Sequence, residues 1–224
     1  MIELAVLDMA GTTIDDGGAV YVALRECVEA HGVTVTDERL QAWMGTDKRT
    51  AIDALLGDLA TPDLVEKTYA DFSSRLETSY LARPPTPIPG VPEALAELRA
   101  SGVKVVLTTG FAHDVADPLL AAIGWTPGLA GAPVDALVCA DDVAAGRPAP
   151  YMIFRAMELA GVLSPTRVAV AGDTHVDVLA GSNAGAAIVA GVLTGALPAE
   201  VLGTARHTHL LASVADLPAL IRQT

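Results

Sequence analysis

The sequence has little positive charge. Its 224 residues carry 14 Lys+Arg against 27 Asp+Glu, a formal net charge of −13. Nucleic acid and anionic membrane surfaces reward basic patches, so this balance argues against either as a generic partner. It leaves room for small phosphorylated compounds, whose charge a metal ion and one or two cations can neutralise. Cysteine is also scarce. Cys27 and Cys139 lie far apart with no CxxC spacing, which excludes a disulfide framework and fits a reducing, cytoplasmic location. Both read as small buried hydrophobes. No basic segment followed by an apolar stretch opens the chain, so no secretory signal is predicted. The uncharged stretch from Val178 to Ala199 is broken by Gly181, Asn183, Gly185, Gly191, Gly195 and Pro198, which excludes a membrane span and leaves a buried helix end, a strand and a loop.

What is present is an alternation of short apolar runs with helical periodicity. Strands are predicted at Ile2–Leu7, Val103–Leu107, Ala136–Cys139, Val168–Ala171 and Ala187–Val192. Helices are predicted at Val91–Ala100, Ala112–Ile123, Tyr151–Ala160, Val176–Ala184 and Ser213–Ile221. This pattern means an α/β fold, a Rossmann-like parallel sheet with helices on both faces. Residues 17–83 break the rhythm with helical periodicity alone, at Ala19–Ala30, Asp37–Met44, Lys48–Leu56 and Pro62–Leu81. Gly17-Gly18 marks one end of that stretch and the proline-rich run from Arg83 to Gly90 the other, read as a stiff polyproline-like strap. The expectation is a core of residues 1–16 and 84–224 carrying an inserted all-helical cap domain, 17–83, over a site at the sheet edge.

In open α/β sheets ligands bind at the carboxyl ends of the strands. There the sequence places Asp8, then Thr108-Thr109-Gly110, then Gly146-Arg147-Pro148, then Gly172-Asp173-Thr174-His175-Val176-Asp177. Two acids, a hydroxyl beside a glycine amide, and an arginine are the parts of a metal-assisted phosphoryl-transfer site. A carboxylate can attack phosphorus if a divalent cation screens the approach of two anions. Mg²⁺ takes oxygen ligands and keeps several waters. His175 reads as a solvent-facing loop residue, and His207 and His209 as edge positions lacking a third metal ligand.

The stretches DMAGTT (8–13), MGTDK (44–48), TTGF (108–111), GRPAP (146–150) and GDTHVD (172–177) resemble the haloacid dehalogenase superfamily, and within it the phosphonatase (phosphonoacetaldehyde hydrolase) branch. They run in family order across nearly the whole chain. The resemblance implies Mg²⁺, an aspartyl-phosphate intermediate and a homodimer built through the caps. It makes Asp8 the nucleophile and gives Mg²⁺ to Asp8, the Ala10 carbonyl and Asp173, with Asp177 in support. Thr109, Gly110 and Arg147 would hold the phosphoryl group, and Thr12, Met44 and Gly45 fall on the substrate side. Lys48 falls on the cap lysine that forms a Schiff base with an aldehyde.

Ala10 occupies the position where ordinary phosphatases of this superfamily carry an acid that protonates a departing alkoxide. A phosphonate has carbon there. Its cleavage needs an electron sink, which an iminium on Lys48 would provide, so the missing acid is expected. Arginine cannot form an imine, which makes a lysine at position 48 informative in a chain with 11 arginines and only three lysines. To attack near neutral pH its pKa would have to fall by about 2–3 units, through burial and a nearby cation such as Arg49 or Mg²⁺. Two positions depart from the phosphonatase pattern: Gly18 stands in place of a cysteine and Ala51 in place of a histidine. They keep open a phosphatase acting on a small phosphate ester with a good leaving group. A dehalogenase and a non-catalytic phosphometabolite sensor are disfavoured by Asp173 and by the complete set Asp8, Asp173 and Arg147.

Overall fold

A computed structural model describes residues 1–224. The strands are β1 (Leu4–Asp8), β2 (Ile14–Asp15), β3 (Thr86–Pro87), β4 (Lys104–Thr108), β5 (Ala136–Val138), β6 (Val168–Gly172), β7 (Ile188–Val192) and β8 (His209–Leu211). The helices are α1 (Ala19–Glu29), α2 (Asp37–Gln41), α3 (Lys48–Leu56), α4 (Pro62–Ala82), α5 (Val91–Ala100), α6 (His113–Ala122), α7 (Tyr151–Ala160), α8 (His175–Ala184), α9 (Ala199–Leu202) and α10 (Leu217–Gln223).

Six strands form one parallel sheet in the order β5-β4-β1-β6-β7-β8. Alternate residues of its strands feed two apolar layers, as the period of two requires. Ala5, Leu7, Val105, Leu107, Ala169 and Ala171 join the larger cluster, whereas Leu4, Val6, Val106, Val168 and Val170 join a second one with Met152, Ile153 and Ala156 of α7. Helices therefore cover both faces, which the near-continuous apolar strands demand. β1 is central, and the chain runs outward from it first through β4 and β5, then back through β6, β7 and β8. Asp8, at the carboxyl end of β1, stands where the strand order reverses, the position at which such sheets bind ligands.

Between β2 and β3 the chain is helical and contributes no strand. Helices α1, α3 and α4 bury Leu24, Cys27, Ile52, Leu55, Phe72 and Leu76 in the same cluster as the sheet face above. The crossings into and out of this segment differ from the expected strap. Ile14 pairs with Pro87 and Asp15 with Thr86 in an antiparallel two-stranded ribbon, and Ile88 N donates to Thr13 O at 3.0 Å. Thr86-Pro87 is extended because it has a partner there, and proline is tolerated on such an edge pair.

The predicted helix at 37–44 stops at Gln41, and residues 42–45 turn back toward the sheet edge. α9 and β8 were not anticipated; both are short and set by contacts with β7. No helix is long and apolar enough to cross a membrane.

Candidate active site

Register delivers the first part of the site. Asp8 is paired with Thr108 at the ends of β1 and β4, and β6 ends at Gly172 on the other flank. Three carboxylates meet there. Ligand oxygens of Asp8, Asp173 and Asp177 all lie within 4.8 Å of one another, and all three residues are buried. Thr12 Oγ1 donates to Asp173 Oδ1 at 2.7 Å. The loop after β7 passes over the same carboxylate: a Cβ at Gly195 would collide with Asp173, and Thr194 Oγ1 donates to Gly11 O at 2.6 Å.

Arg147 is the cation inside this cluster. Its Nη1 lies 2.7 Å from Asp8 Oδ1 and 2.6 Å from Asp177 Oδ1, while Nη2 donates to Thr108 Oγ1 at 2.8 Å. Asp177 Oδ2 accepts from the Thr174 amide at 3.0 Å and from the Thr174 hydroxyl, so Asp177 both caps α8 and holds the guanidinium. Asp173 has no cationic partner. Burial, then the charges of Asp8 and Asp177, push its pKa well above the usual carboxylate range. Burial pushes Asp177 up to about 6, with Arg147 opposing.

One guanidinium among three buried carboxylates leaves an excess of negative charge. The donors are all hard oxygens, and Asp173 is free to take a cation. That set of oxygen donors fits Mg²⁺.

Lys48 is the first residue of α3. Asp47 Oδ1 caps that helix, accepting from Thr50 N at 2.8 Å, which fixes the first turn. The next two residues then diverge. Arg49 points outward, 2.8 Å from Glu66 Oε1 and 3.7 Å over the Tyr69 ring. Lys48 points inward and is only 4% exposed. Its Nζ donates to Thr46 O at 2.9 Å and lies 5.5 Å from the centre of the Phe111 ring. Burial is the main cause that pushes its pKa down to about 8; Asp47 opposes, and Arg147 adds to the depression. The cation acting on Lys48 is thus Arg147, not the Arg49 that sequence proximity suggested.

A cavity of about 20 Å³ joins these parts; Asp8, Ala10, Lys48, Thr109, Gly110 and Arg147 line it, and Gly45 closes it from the turn after α2. Gly110 is required there, because a Cβ would strike the Thr46 carbonyl. Two residues assigned to the substrate side lie elsewhere. Thr12 is fully buried beneath Asp173, and Met44 packs against the Val178, Val189, Leu197 and Leu202 cluster. His175 is not the solvent-facing residue expected; its Nε2 is 2.6 Å from Val201 O. Sequence reasoning placed Thr108 at the strand end but gave it no role, although it orients Arg147, and it passed over Tyr21, which also lines the cavity. The signal for Thr108 was its place at the last register position of β4. For Tyr21 it was a lone hydroxyl in the otherwise apolar first turn of α1, just past Gly17-Gly18.

A family model described as haloacid dehalogenase-like hydrolase matches residues 2–185. The chain belongs to the haloacid dehalogenase-like hydrolases, and is an enzyme of that class. Within it the chain is similar to phosphonoacetaldehyde hydrolases. It is 36% identical over 199 residues to the one from Bacillus cereus, covering 82% of this chain and 73% of the relative. A solved phosphonoacetaldehyde hydrolase-like protein from Oleispira antarctica superposes with a TM-score of 0.85 at 26% identity, covering 99% of this chain and 92% of the other. The fold is shared more widely: a β-phosphoglucomutase from Clostridium difficile superposes with a TM-score of 0.83 at 17% identity, covering 100% and 96%.

Proposed function

We propose that this hydrolase cleaves the P–C bond of a small phosphonate bearing a β-aldehyde, such as phosphonoacetaldehyde. The observation that carries the reading is a buried lysine amine, that of Lys48, lining the same cavity as the Asp8 carboxylate.

The residues divide the work. With its pKa near 8, Lys48 has a usable fraction of free amine at neutral pH and attacks the aldehyde carbon. Loss of water leaves an iminium. Asp8 then attacks phosphorus, the P–C electrons flow into the iminium, and an enamine remains on Lys48. Protonation and hydrolysis of the enamine release acetaldehyde and the free amine, while water cleaves the aspartyl phosphate to give inorganic phosphate. Mg²⁺, held by Asp8, Asp173 and the Ala10 carbonyl, would screen the phosphonate charge. Arg147, Thr109 and the Gly110 amide hold the phosphoryl oxygens, and Asp177 keeps Arg147 aimed. Ala10 has no part to play as an acid. In this reading residues 17–83 act as a cap that excludes water from the iminium, and a second copy docks through it. The free buried thiols of Cys27 and Cys139 support a cytoplasmic setting.

The test is borohydride reduction of the enzyme with Mg²⁺ and phosphonoacetaldehyde, read by mass spectrometry, beside phosphate release. A reduced adduct on Lys48 is expected, lost in Lys48→Arg. The fully buried Ala51 and the side-chain-free Gly18 favour the second reading, a phosphate-ester phosphatase. Turnover of esters with no adduct from any phosphono-aldehyde would establish that reading instead.

A further inference from the structure

Forming an imine from a protonated lysine and an aldehyde moves protons from nitrogen to oxygen, and that oxygen leaves as water. Some group at the cavity must relay them. Six proton-bearing or proton-accepting side chains line it: Asp8, Tyr21, Lys48, Thr109, Arg147 and Thr174. Five are committed. Asp8 is paired with Arg147 and kept for phosphorus. Lys48 donates to Thr46 O and is itself the attacking amine. Thr109 Oγ1 accepts from Phe111 N at 3.2 Å, and its hydroxyl is assigned above to the phosphoryl oxygens. Thr174 gives its hydroxyl proton to Asp177. Arg147 does not release a proton near neutral pH.

The sixth is Tyr21, on the first turn of α1, whose amide donates to Gly18 O at 3.1 Å. Its phenol has no hydrogen-bond partner in the protein, although the ring packs against the large apolar cluster that fixes it in place. A phenol held at the wall of a reaction cavity with its donor and acceptor positions both open is available to a ligand. Burial, and then the charges of Asp173, Asp8 and Asp177, push its pKa well above that of free tyrosine, so it meets the substrate as a donor.

We propose that Tyr21 is a further catalytic residue of this enzyme, relaying protons between Lys48 and the carbonyl oxygen of the substrate. This rests on the imine reading above. The Lys48 ammonium first loses a proton to solvent, and the free amine nitrogen bonds to the aldehyde carbon as the C=O π bond opens; Tyr21 gives its phenolic proton to the oxygen and takes one back from the nitrogen, which leaves a neutral carbinolamine. Tyr21 then protonates the hydroxyl, the C–O bond breaks, water departs, the nitrogen lone pair closes the iminium, and Tyr21 regains its proton from solvent. No oxidant, reductant or extra cofactor enters the balance.

Tyr21→Phe removes one oxygen and keeps the packing. In the Mg²⁺-loaded enzyme, the rate of borohydride-trapped Lys48 adduct with phosphonoacetaldehyde is expected to fall about 100-fold. Inhibition by inorganic phosphate, which reports the Asp8 and Arg147 side of the cavity, should stay within about twofold by the same account. Tyr21→His, which restores a proton-relaying group, is expected to recover part of the trapping rate. If wild type and Tyr21→Phe trap at equal rates, the relay is wrong while the imine reading stands. If wild type gives no adduct, the imine reading fails and the relay goes with it. Should Tyr21→Phe not fold, Tyr21→His decides alone: a wild-type trapping rate with an unchanged pH profile would overturn the relay.

Discussion

Arg147 Nη1 stands 2.7 Å from Asp8 Oδ1, so the carboxylate proposed to attack phosphorus is already paired with the cation proposed to hold the phosphoryl oxygens. The pairing fixes the orientation of the carboxylate at the cavity wall. It also means that substrate has to share the guanidinium with Asp8 and Asp177, which a fork of five donors permits and an ammonium does not.

Arg147→Lys therefore keeps the charge and loses the geometry. A drop of about 10²-fold in kcat/KM is expected, from steady-state phosphate release. Arg147→Ala goes further and leaves two buried carboxylates without their cation. Thermal melts should show Tm lower by about 10 °C, from a loss of roughly 3–5 kcal/mol.

Asp8→Asn removes the proposed nucleophile with almost no change in shape. Phosphate release should fall by at least ~10³-fold. Borohydride trapping on Lys48 should persist, since the imine forms before phosphorus is attacked. Loss of trapping in this variant would break the proposed order of steps.

Lys48 ties activity to pH. Its pKa is pushed down to about 8, so the free amine fraction grows through the range below that value. The expected profile of kcat/KM climbs about tenfold per pH unit between 6 and 7 and levels above about 8. A flat profile from pH 6 to 9 would argue against amine catalysis.

The same lysine weakens the fold. Its native pKa lies below the unfolded one, so the unfolded chain binds the proton more readily. The penalty is complete below about 8 and vanishes as pH rises through the unfolded value near 10.5. Lys48→Met is expected to gain about 1–3 kcal/mol at pH 7 and little near pH 11, measured by urea unfolding. It should give no adduct at either pH.

Chelation tests the acidic cluster. EDTA is expected to abolish turnover, and Mg²⁺ to restore it and raise Tm by several degrees through binding to the native state alone. Activity on 2-haloacids that survives EDTA would point to a dehalogenase.

The alternation of strands and helices was legible because its apolar periods are set by burial on both faces of the sheet. Lys48–Leu56, Val91–Ala100 and Tyr151–Ala160 begin and end where their caps and glycines predict. The ribbon of β2 and β3 was not legible, because two-residue strands exist only through their tertiary partner. The strand-end motifs put Asp8, Thr109, Arg147 and Asp173 at one edge, as the sheet order requires. What a motif cannot give is direction. Lys48 and Arg49 are neighbours with similar charge, and only the packing of α3 sends one inward to Phe111 and the other outward to Glu66. Tyr21 escaped for the same reason: its neighbours in α1 read as plain core, and its hydroxyl matters through what faces it across the fold.

Ile14–Asp15 and Thr86–Pro87 are hydrogen-bonded to each other, and Thr13 Oγ1, one residue before that ribbon, donates to Asp8 O at 2.9 Å. The helices between them are thus hung from a single axle rather than two independent tethers. Both ends of the helical segment are therefore linked, through Thr13, to the peptide of Asp8.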